Sequence, residues 1–330
     1  MKLTPDDIRA QSERAYSQWA TTWRENAKTH SKYPMRKLTD FEHIGIGKAV
    51  VCVANGYSLE LEIETLKKYQ GQVDILCCDK SLGHLLDNGI TPTFCIVCDA
   101  KVSYEKYMEP WKDKLGDIVL FENVCGNTEW SEKGNWKERY FFANMDVLQS
   151  EKEFMALSGC PNQVTAGTNV SNALVVFLTQ SDNTGRKNFF GYDKILLVGF
   201  DYAWREDGNY YAFDKSGGGK HNYMRHIFSR NIDNRHCYTS NNLAFSAKWL
   251  EQYIAAFRLP VVQCSRESVL PMKNMGVLAE QMQYSFKKEH RKVVKDLLAA
   301  RNKALQEKAR IEKTLTEIGR EHYYSFICSV

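Results

Sequence analysis

The fold is decided by residues 49–79, which read AVVCVANGYSLELEIETLKKYQGQVDILCCD. This stretch begins and ends with a short apolar run, AVVCVA at 49–54 and VDILCCD at 73–79, and the segment SLELEIETLKKYQ lies between them. Both runs are apolar on both faces, as strands buried inside a parallel sheet must be. The stretch therefore predicts a strand, a helix and a second strand parallel to the first.

The same unit recurs along the chain, with further apolar runs at FCIVCD (94–99), DIVLFEN (117–123), ERYFFAN (138–144), KILLVGFD (194–201) and PVVQCS (260–265). Strands that alternate with helices at this spacing imply right-handed crossovers. We therefore predict an α/β fold, a Rossmann-like, doubly wound and mostly parallel sheet. An N-terminal helix at 4–30 and a long, charged C-terminal helix at 284–320 flank it.

Three segments follow from this pattern. They are an N-terminal helical segment (1–40), a Rossmann-like nucleotide-binding catalytic domain (41–270) and a C-terminal helical extension (271–330). Inside the catalytic domain, the polar and glycine-rich stretch 202–238 is long for a loop, which predicts a lid or a substrate loop. Ser240 is placed to cap a helix that continues to about 257.

Composition sets the class of protein. The chain has 330 residues, 43% of them hydrophobic and 25% charged, with a net charge of +4, which permits an anionic substrate without demanding nucleic acid. The N-terminus lacks an apolar signal core, and no apolar run of about 18 residues could span a membrane. We therefore expect a cytoplasmic protein with no membrane span. The cysteines inside apolar runs are predicted to be reduced core thiols: Cys52, Cys77, Cys78, Cys95 and Cys98.

Polar residues interrupt the strands where a ligand site is expected. In open α/β sheets, ligands bind outside the carboxyl ends of the strands. Five successive strand ends carry a carboxylate or carboxamide, at Asn55, Asp79, Asp99, Glu122-Asn123 and Asp201. The sequence therefore predicts a polar ligand site along this edge of the sheet.

Two turns with small residues open helices near these ends. In Asn55-Gly56-Tyr57-Ser58, Gly56 would allow close backbone approach or a positive φ, and Ser58 is placed to cap a helix whose free N–H groups suit a phosphate. Residues 165–171, TAGTNVS, form the second turn. Two such helix N-termini on one rim would hold a diphosphate. The predicted donor-binding residues are Asn55, Gly56, Ser58, Asp79, Gly167, Thr168, Asn169 and Ser171.

Carboxylates and one histidine are the candidates for chemistry. Aspartates at strand ends hold Mg²⁺ or Mn²⁺ against phosphates, or take a proton from an acceptor hydroxyl. Asp99 and Asp201 are therefore candidate catalytic residues, together with His221 from the long polar loop. No paired-aspartate motif is present, so a Mg²⁺ or Mn²⁺ requirement and its ligands stay open.

Four of these elements, in this order, resemble one family. CVANGYSL (52–59) resembles a strand followed by G-x-G-P-S-L, with Ala54 and Tyr57 in place of Gly and Pro. Asp79, then GITPT (89–93) and Asp99 resemble the next element, AGTNVS (166–171) the third and LVGFDYAWREDG (197–208) the fourth. Residues 45–215 thus resemble the 6-hydroxymethylpterin diphosphokinase-like family, which includes motility-associated-factor glycosyltransferases and is similar in organisation to bacterial sialyltransferases.

The resemblance implies an anionic nucleotide donor and a hydroxyl acceptor, and leaves three functions open. The first is glycosyl transfer from a nucleotide sugar, in which Asp201 would orient or deprotonate the acceptor and a protein, glycan or nucleic acid would be a fitting acceptor. The second is ATP-dependent diphosphate transfer to a pterin-like alcohol. The third is a non-catalytic nucleotide-binding interaction protein, in which the C-terminal helix, also a candidate homo-oligomer contact, is the partner surface.

Overall fold

The computed structural model describes residues 5–181, 187–205, 208, 211–213, 227–231, 234–270, 272–283, 300–307, 310 and 314. The chain divides into two compact units, Met1–Ser285 and Phe286–Val330. In the second unit, the described residues are helical. His221 and most of the predicted helix at 284–320 lie outside the described residues. The catalytic role of His221, the oligomer contact of this helix and the boundaries at 40 and 270 therefore stay predictions.

Eight parallel strands form the main sheet within the described residues. The bounds are β1 Ala49–Val53, β2 Asp74–Cys78, β3 Phe94–Val97, β4 Val119–Asn123, β5 Glu138–Met145, β6 Gln163–Thr165, β7 Lys194–Val198 and β11 Val261–Gln263. The order of the strands across the sheet is β11-β7-β1-β2-β3-β4-β5-β6. The predicted doubly wound, parallel sheet is confirmed, and β6 is a strand that the sequence did not predict.

Helices cover the sheet. Their bounds are α1 Pro5–His30, α2 Leu59–Tyr69, α3 Asp79–Asp87, α4 Tyr104–Tyr107, α5 Glu129–Lys133, α6 Glu151–Ser158, α7 Val170–Leu178, α8 Asn241–Phe257 and α9 Leu278–Gln283, with short 3₁₀ turns at Leu38–Phe41 and Glu109–Lys114. Ser240 caps α8 as predicted, because its side chain accepts a hydrogen bond from the Leu243 amide. All residues of β1 are buried, and so is every residue of α7 from Asn172 to Leu178, which explains the uninterrupted apolar runs.

The described part of the stretch 202–238 contains three strands, so the loop prediction was wrong for these residues, while a role as a lid or substrate loop stays a prediction. β8 (Trp204–Arg205), β10 (His236–Thr239) and β9 (Ile227–Arg230) form a small antiparallel sheet. Its strands have two to four residues each and mix polar with apolar residues, so they lack the continuous apolar runs of the main sheet.

Two composition-based expectations can be compared with the structure. The described cysteines are free thiols, and all except the half-buried Cys98 are buried, as predicted for reduced core residues. Among the described residues, no helix combines the length and the apolar character that crossing a bilayer requires.

Candidate functional site

The order of the strands creates a crevice at one point of the sheet edge. From β1 the chain adds β2 to β6 on one side, and then returns to place β7 and β11 on the other side. Ligands in open α/β sheets bind at such a reversal, outside the carboxyl ends of the two strands that flank it. Here those strands are β1 and β7, and they lead into Asn55-Gly56 and Gly199-Phe200-Asp201.

A cavity of about 170 Å³ opens at this crevice, and we call it the rim cavity. It brings together seven of the predicted site residues: Asn55, Gly56, Asp79, Asp99, Asn169, Ser171 and Asp201. Cys78, Lys80, Val170, Gly199, Phe200, Tyr202, Tyr211 and Leu243 complete its lining. The carboxyl ends of four strands and the start of α7 therefore converge on one space.

Ser58 has a different role from the one predicted. Its side chain makes no capping hydrogen bond to α2. Instead, its backbone amide donates to Asp201 Oδ2 (2.8 Å) and its hydroxyl donates to Asp201 Oδ1. The Asp201 carboxylate thus occupies the start of α2, where a phosphate was expected, and Ser58 stands behind it rather than in the cavity lining.

Gly56 permits a close approach, as predicted, but to the protein itself. A Cβ at this position would lie 2.5 Å from Asp201 Oδ2 and 2.5 Å from the Gly199 carbonyl oxygen. The Gly56 amide donates to that carbonyl (2.9 Å), which ties the β1 turn to the β7 turn. The glycine is therefore required by the meeting of these two turns.

Tyr57, where the resembled motif has Pro, is buried and anchors the same turn. Its hydroxyl lies 3.1 Å from the Glu267 backbone oxygen and 3.3 Å from Glu267 Oε2. Burial and the carboxylates of Asp201 and Glu267 raise the pKa of the phenol, so it stays a donor. The side chain therefore fixes a turn that a proline ring would otherwise stiffen.

Two buried acceptors in the rim cavity have no donor among the described residues, namely Asn55 Oδ1 and Asp79 Oδ2. Asp79 is 2% exposed, and its other oxygen accepts from the Lys80 amide (2.6 Å). Burial raises the pKa of Asp79 to about 6, against the lowering effect of Lys80. Buried polar atoms are normally paired, so these two oxygens point to a ligand that brings hydroxyl or amino hydrogens.

Lys80 supplies a cation to this cavity, and the sequence analysis did not select it. Its ammonium lies 5.4 Å from the centre of the Tyr211 ring and 5.9 Å from that of Tyr107. Tyr211 is held over the cavity because it pairs with Gly56, and the Ala212 amide donates to the Asn55 carbonyl (3.2 Å). The sequence offered one signal for Lys80 as a site residue, its position directly after Asp79 at a strand end. It offered no such signal for Tyr211.

The start of α7 forms the opposite wall. Asn169 caps this helix, since its Oδ1 accepts from the Asn172 amide (2.8 Å). The preceding amides of the first turn have no partner within the helix, and they suit an anion. Tyr202, at a φ of 55°, donates to Asn172 Oδ1 (2.5 Å) and so links the β7 turn to α7.

Gly167 and Thr168 line a different space, so their assignment to the same cavity was wrong. They belong to a neighbouring cavity of about 560 Å³, the wide cavity, at the ends of β4, β5 and β6. A Cβ on Gly167 would lie 2.7 Å from the Ala173 amide nitrogen, so this glycine serves packing against α7.

The two cavities adjoin at two places. Cys98 lines the wide cavity and its neighbour Asp99 lines the rim cavity. Thr168 and Asn169 are divided in the same way. Asp99 is exposed, and its Oδ1 accepts from the Lys101 amide (2.9 Å). An ionisable group therefore stands where the two spaces meet.

No three His, Cys, Asp or Glu side chains in the described part of the chain lie close enough together to hold a metal ion. Asp79, Asp99 and Asp201 therefore form no metal cluster of their own. Mg²⁺ commonly binds through one or two carboxylates and the phosphates of a substrate, an arrangement that needs no such cluster.

Known proteins place this geometry in context. No curated sequence matches the chain significantly. A solved structure, that of MAf glycosyltransferase from Magnetospirillum magneticum AMB-1, has the same fold, with a TM-score of 0.59 and 15% sequence identity. The alignment covers 86% of this chain and 42% of that one, so the chain spans less than half of the length of this relative.

The family resemblance of the four motifs is confirmed by a match over residues 21–207 to a family described as 6-hydroxymethylpterin diphosphokinase MptE-like. The match includes the β1 turn, Asp79, Asp99, the start of α7 and Asp201. This chain belongs to the 6-hydroxymethylpterin diphosphokinase MptE-like family.

Proposed function

We propose that the protein is a transferase that binds a nucleotide-activated donor in the rim cavity, and that it is a glycosyltransferase acting on a nucleotide sugar. The observation that carries this proposal is the pairing of two kinds of group in one space. Asn55 Oδ1 and Asp79 Oδ2 call for hydroxyl hydrogens, while Lys80 and the first turn of α7 call for a phosphate. A nucleotide sugar carries both.

The donor's phosphates would lie between Lys80 and the α7 amides, and its ribose or sugar hydroxyls would donate to Asn55 and Asp79. Asp201 would act as a positioning residue, since both of its oxygens already accept from Ser58. A Mg²⁺ or Mn²⁺ ion, if the donor brings one, would add charge neutralisation at the phosphates. The chain's residues bind and orient the donor in either case.

The acceptor would enter through the wide cavity. Asp99, at the junction of the two cavities, is placed to take the proton of an acceptor hydroxyl as that oxygen attacks the anomeric carbon and the nucleotide leaves with the bonding electron pair. A positioned general base contributes roughly 10²–10⁴-fold in rate. Asp99 is therefore the proposed catalytic base.

Diphosphate transfer to a pterin-like alcohol is the second candidate, and the family's name favours it. The same phosphate groups would bind ATP. The 560 Å³ of the wide cavity supports the glycosyltransferase, because that volume accommodates acceptors larger than the two fused rings of a pterin.

A thermal-shift panel tests the donor class. The panel contains CMP, UDP, GDP and ATP with the corresponding nucleotide sugars, each with and without Mg²⁺ or Mn²⁺. A bound ligand stabilises the folded state by about 2.7 kcal/mol at a hundredfold excess over Kd. We expect a nucleotide sugar to raise Tm most, and its slow hydrolysis without acceptor to release nucleotide. ATP selectivity with metal-dependent AMP release would support the diphosphokinase, and binding without turnover of any donor would support the interaction protein.

Lys80→Met gives the matched check on the site. Loss of a charge-assisted contact to phosphate should weaken donor binding by about 1.5–3 kcal/mol, or roughly ten- to a hundredfold. Lys67→Met is the control, because Lys67 is an exposed residue of α2 outside the cavity lining. Equal donor affinity in the two variants would show that the phosphate of the donor does not bind in the rim cavity.

A further inference from the structure

The wide cavity has a chemical character different from that of the rim cavity. Among the described residues that line it, Asp146 alone is charged. That carboxylate already accepts from the Leu148 amide (2.8 Å) and from the Ser150 hydroxyl (2.7 Å). With no cation in its described lining and with both oxygens of its one carboxylate already hydrogen-bonded, the cavity offers no charged partner for an anionic ligand.

Its other polar groups are neutral and of mixed hydrogen-bonding type. Asn123 is 3% exposed; its Oδ1 accepts from the Cys125 amide, and its carboxamide nitrogen donates to no described residue. Asn144, Gln11, Ser12 and Thr165 add further amides and hydroxyls to the lining. Groups that both donate and accept match ligand hydroxyls, which also do both.

Four aromatic rings also line the cavity, from Trp23, Phe154, Phe245 and Trp249, beside smaller apolar side chains such as Ile8 and Met145. Trp249 stacks on Tyr253 with ring centres 5.2 Å apart, and Trp23 packs edge-on against Phe154 at 5.9 Å. These contacts fix both tryptophans and Phe154 in place before a ligand arrives. Flat apolar rings among amides and hydroxyls suit a molecule with apolar C–H faces and a rim of hydroxyls.

One wall comes from outside the part of the chain that the family match covers. Ile8, Gln11, Ser12 and Ala15 line the cavity, and their spacing places them on one face of α1. The matched residues begin at 21. α1 is held down further along, where Arg24 donates to Glu153 (2.6 Å) on α6. This wall therefore lies on a helix that is anchored to α6 and begins before the matched residues.

We propose, building on the glycosyltransferase function proposed above, that the wide cavity binds a short, uncharged glycan as the acceptor and that the Ile8–Ala15 face of α1 sets its specificity. An acceptor hydroxyl in this cavity lies beside Asp99, next to the donor. A site that hydrogen-bonds the hydroxyls of its ligand discriminates against ligands that lack them, because its polar groups are then left unpaired.

Saturation-transfer NMR on the full chain tests this assignment. The probes are lactose, cellobiose and chitotriose, with 3′-sialyllactose as an anionic probe of similar build and Ala-Ser-Gly as a peptide probe. We expect at least one neutral saccharide to bind, and to bind more strongly than 3′-sialyllactose and Ala-Ser-Gly. Binding only of the anionic saccharide or the peptide, or of none of the probes, would overturn the inference.

Two serines of α1 supply the matched variants. Ser12→Phe fills the cavity wall and should weaken saccharide binding about tenfold or more. Ser17→Phe adds the same bulk at an exposed residue outside the lining and should leave binding unchanged. If Ser12→Phe lowers Tm, Gln11→Ala serves instead, because it removes a polar group without adding bulk. Equal saccharide binding in cavity and control variants would refute the site.

Failure of the donor assignment and failure of the glycan site would give different experimental results. If no nucleotide sugar shifts Tm while a neutral saccharide still binds and is lost in Ser12→Phe, the donor assignment falls and the glycan site stands. If nucleotide sugars bind and are turned over but no neutral saccharide binds, the glycan site falls and the donor assignment stands.

Discussion

Asp201 and Ser58, 143 positions apart in sequence, form a two-point contact in which the serine donates both its backbone amide and its hydroxyl to the buried carboxylate. This contact joins the turn after β1 to the turn after β7, on the two sides of the point where the strand order reverses. The two turns that flank the crevice proposed for the donor are therefore joined by a side chain at the end of one strand and a helix start at the end of the other.

Gly56→Ala should destabilise this junction. A new Cβ would lie 2.5 Å from both Asp201 Oδ2 and the Gly199 carbonyl, and the second of these is backbone that cannot swing away. Overpacking of this kind costs about 1–3 kcal/mol. Urea unfolding measures the change in the free energy of unfolding, and donor affinity should fall with it.

Gly116→Ala is the matched control, because a Cβ there would meet nothing within 4 Å. It should leave stability within about 0.5 kcal/mol of the wild type. Equal unfolding midpoints for the two variants would mean that the β1 and β7 turns are not in the close contact described.

The stability of the wild type should depend on pH through Asp201. Burial raises the pKa of this carboxyl to about 7, although the hydrogen bonds from Ser58 act to lower it. A raised pKa means that the folded state holds a proton which the unfolded state has lost. The stability it contributes is fully present below about pH 4 and is lost as the pH rises through about 7.

Asp201→Asn removes this loss and keeps one acceptor for Ser58. The free energy of unfolding of the variant, relative to that of the wild type, should therefore rise by about 1–3 kcal/mol between pH 5 and pH 7. Above pH 7 this difference should stay constant. Asp117→Asn, at an exposed aspartate, is the matched control for the substitution. A pH-independent difference between Asp201→Asn and the wild type would show that the buried carboxyl does not titrate in this interval.

The main sheet could be predicted because its strands are buried on both faces, so that AVVCV, DILCC and KILLV read as continuous apolar runs. β6 was missed because QVT has a single buried residue, Val164, at the edge of the sheet. The strands β8 to β10 were missed because they have only two to four residues each and mix polar with apolar residues, so no continuous apolar run marks them.

The site was predictable as far as topology determines it. Asn55, Asp79, Asp99 and Asp201 follow strands, and parallel strands end at one edge. The contact of Ser58 with Asp201 could not be predicted, because a contact across 143 positions leaves no local pattern. A serine before a helix is also normally the cap of that helix. The division of TAGTNVS between two cavities likewise depends on how α7 packs, which short-range sequence does not reveal.

Asp99→Asn tests the proposed base at the junction of the two cavities. The amide cannot take a proton from the acceptor, so kcat should fall roughly 10²–10⁴-fold. Donor affinity should stay close to that of the wild type, because the orphaned acceptors and Lys80 that would bind the donor are unchanged. Because Asp99 is exposed, the substitution should leave Tm nearly unaltered, and Asp117→Asn gives the baseline for both measurements. Turnover of Asp99→Asn that equals this baseline, with donor and neutral acceptor both saturating, would transfer the role of base to Asp79, the other lining carboxylate with a free oxygen.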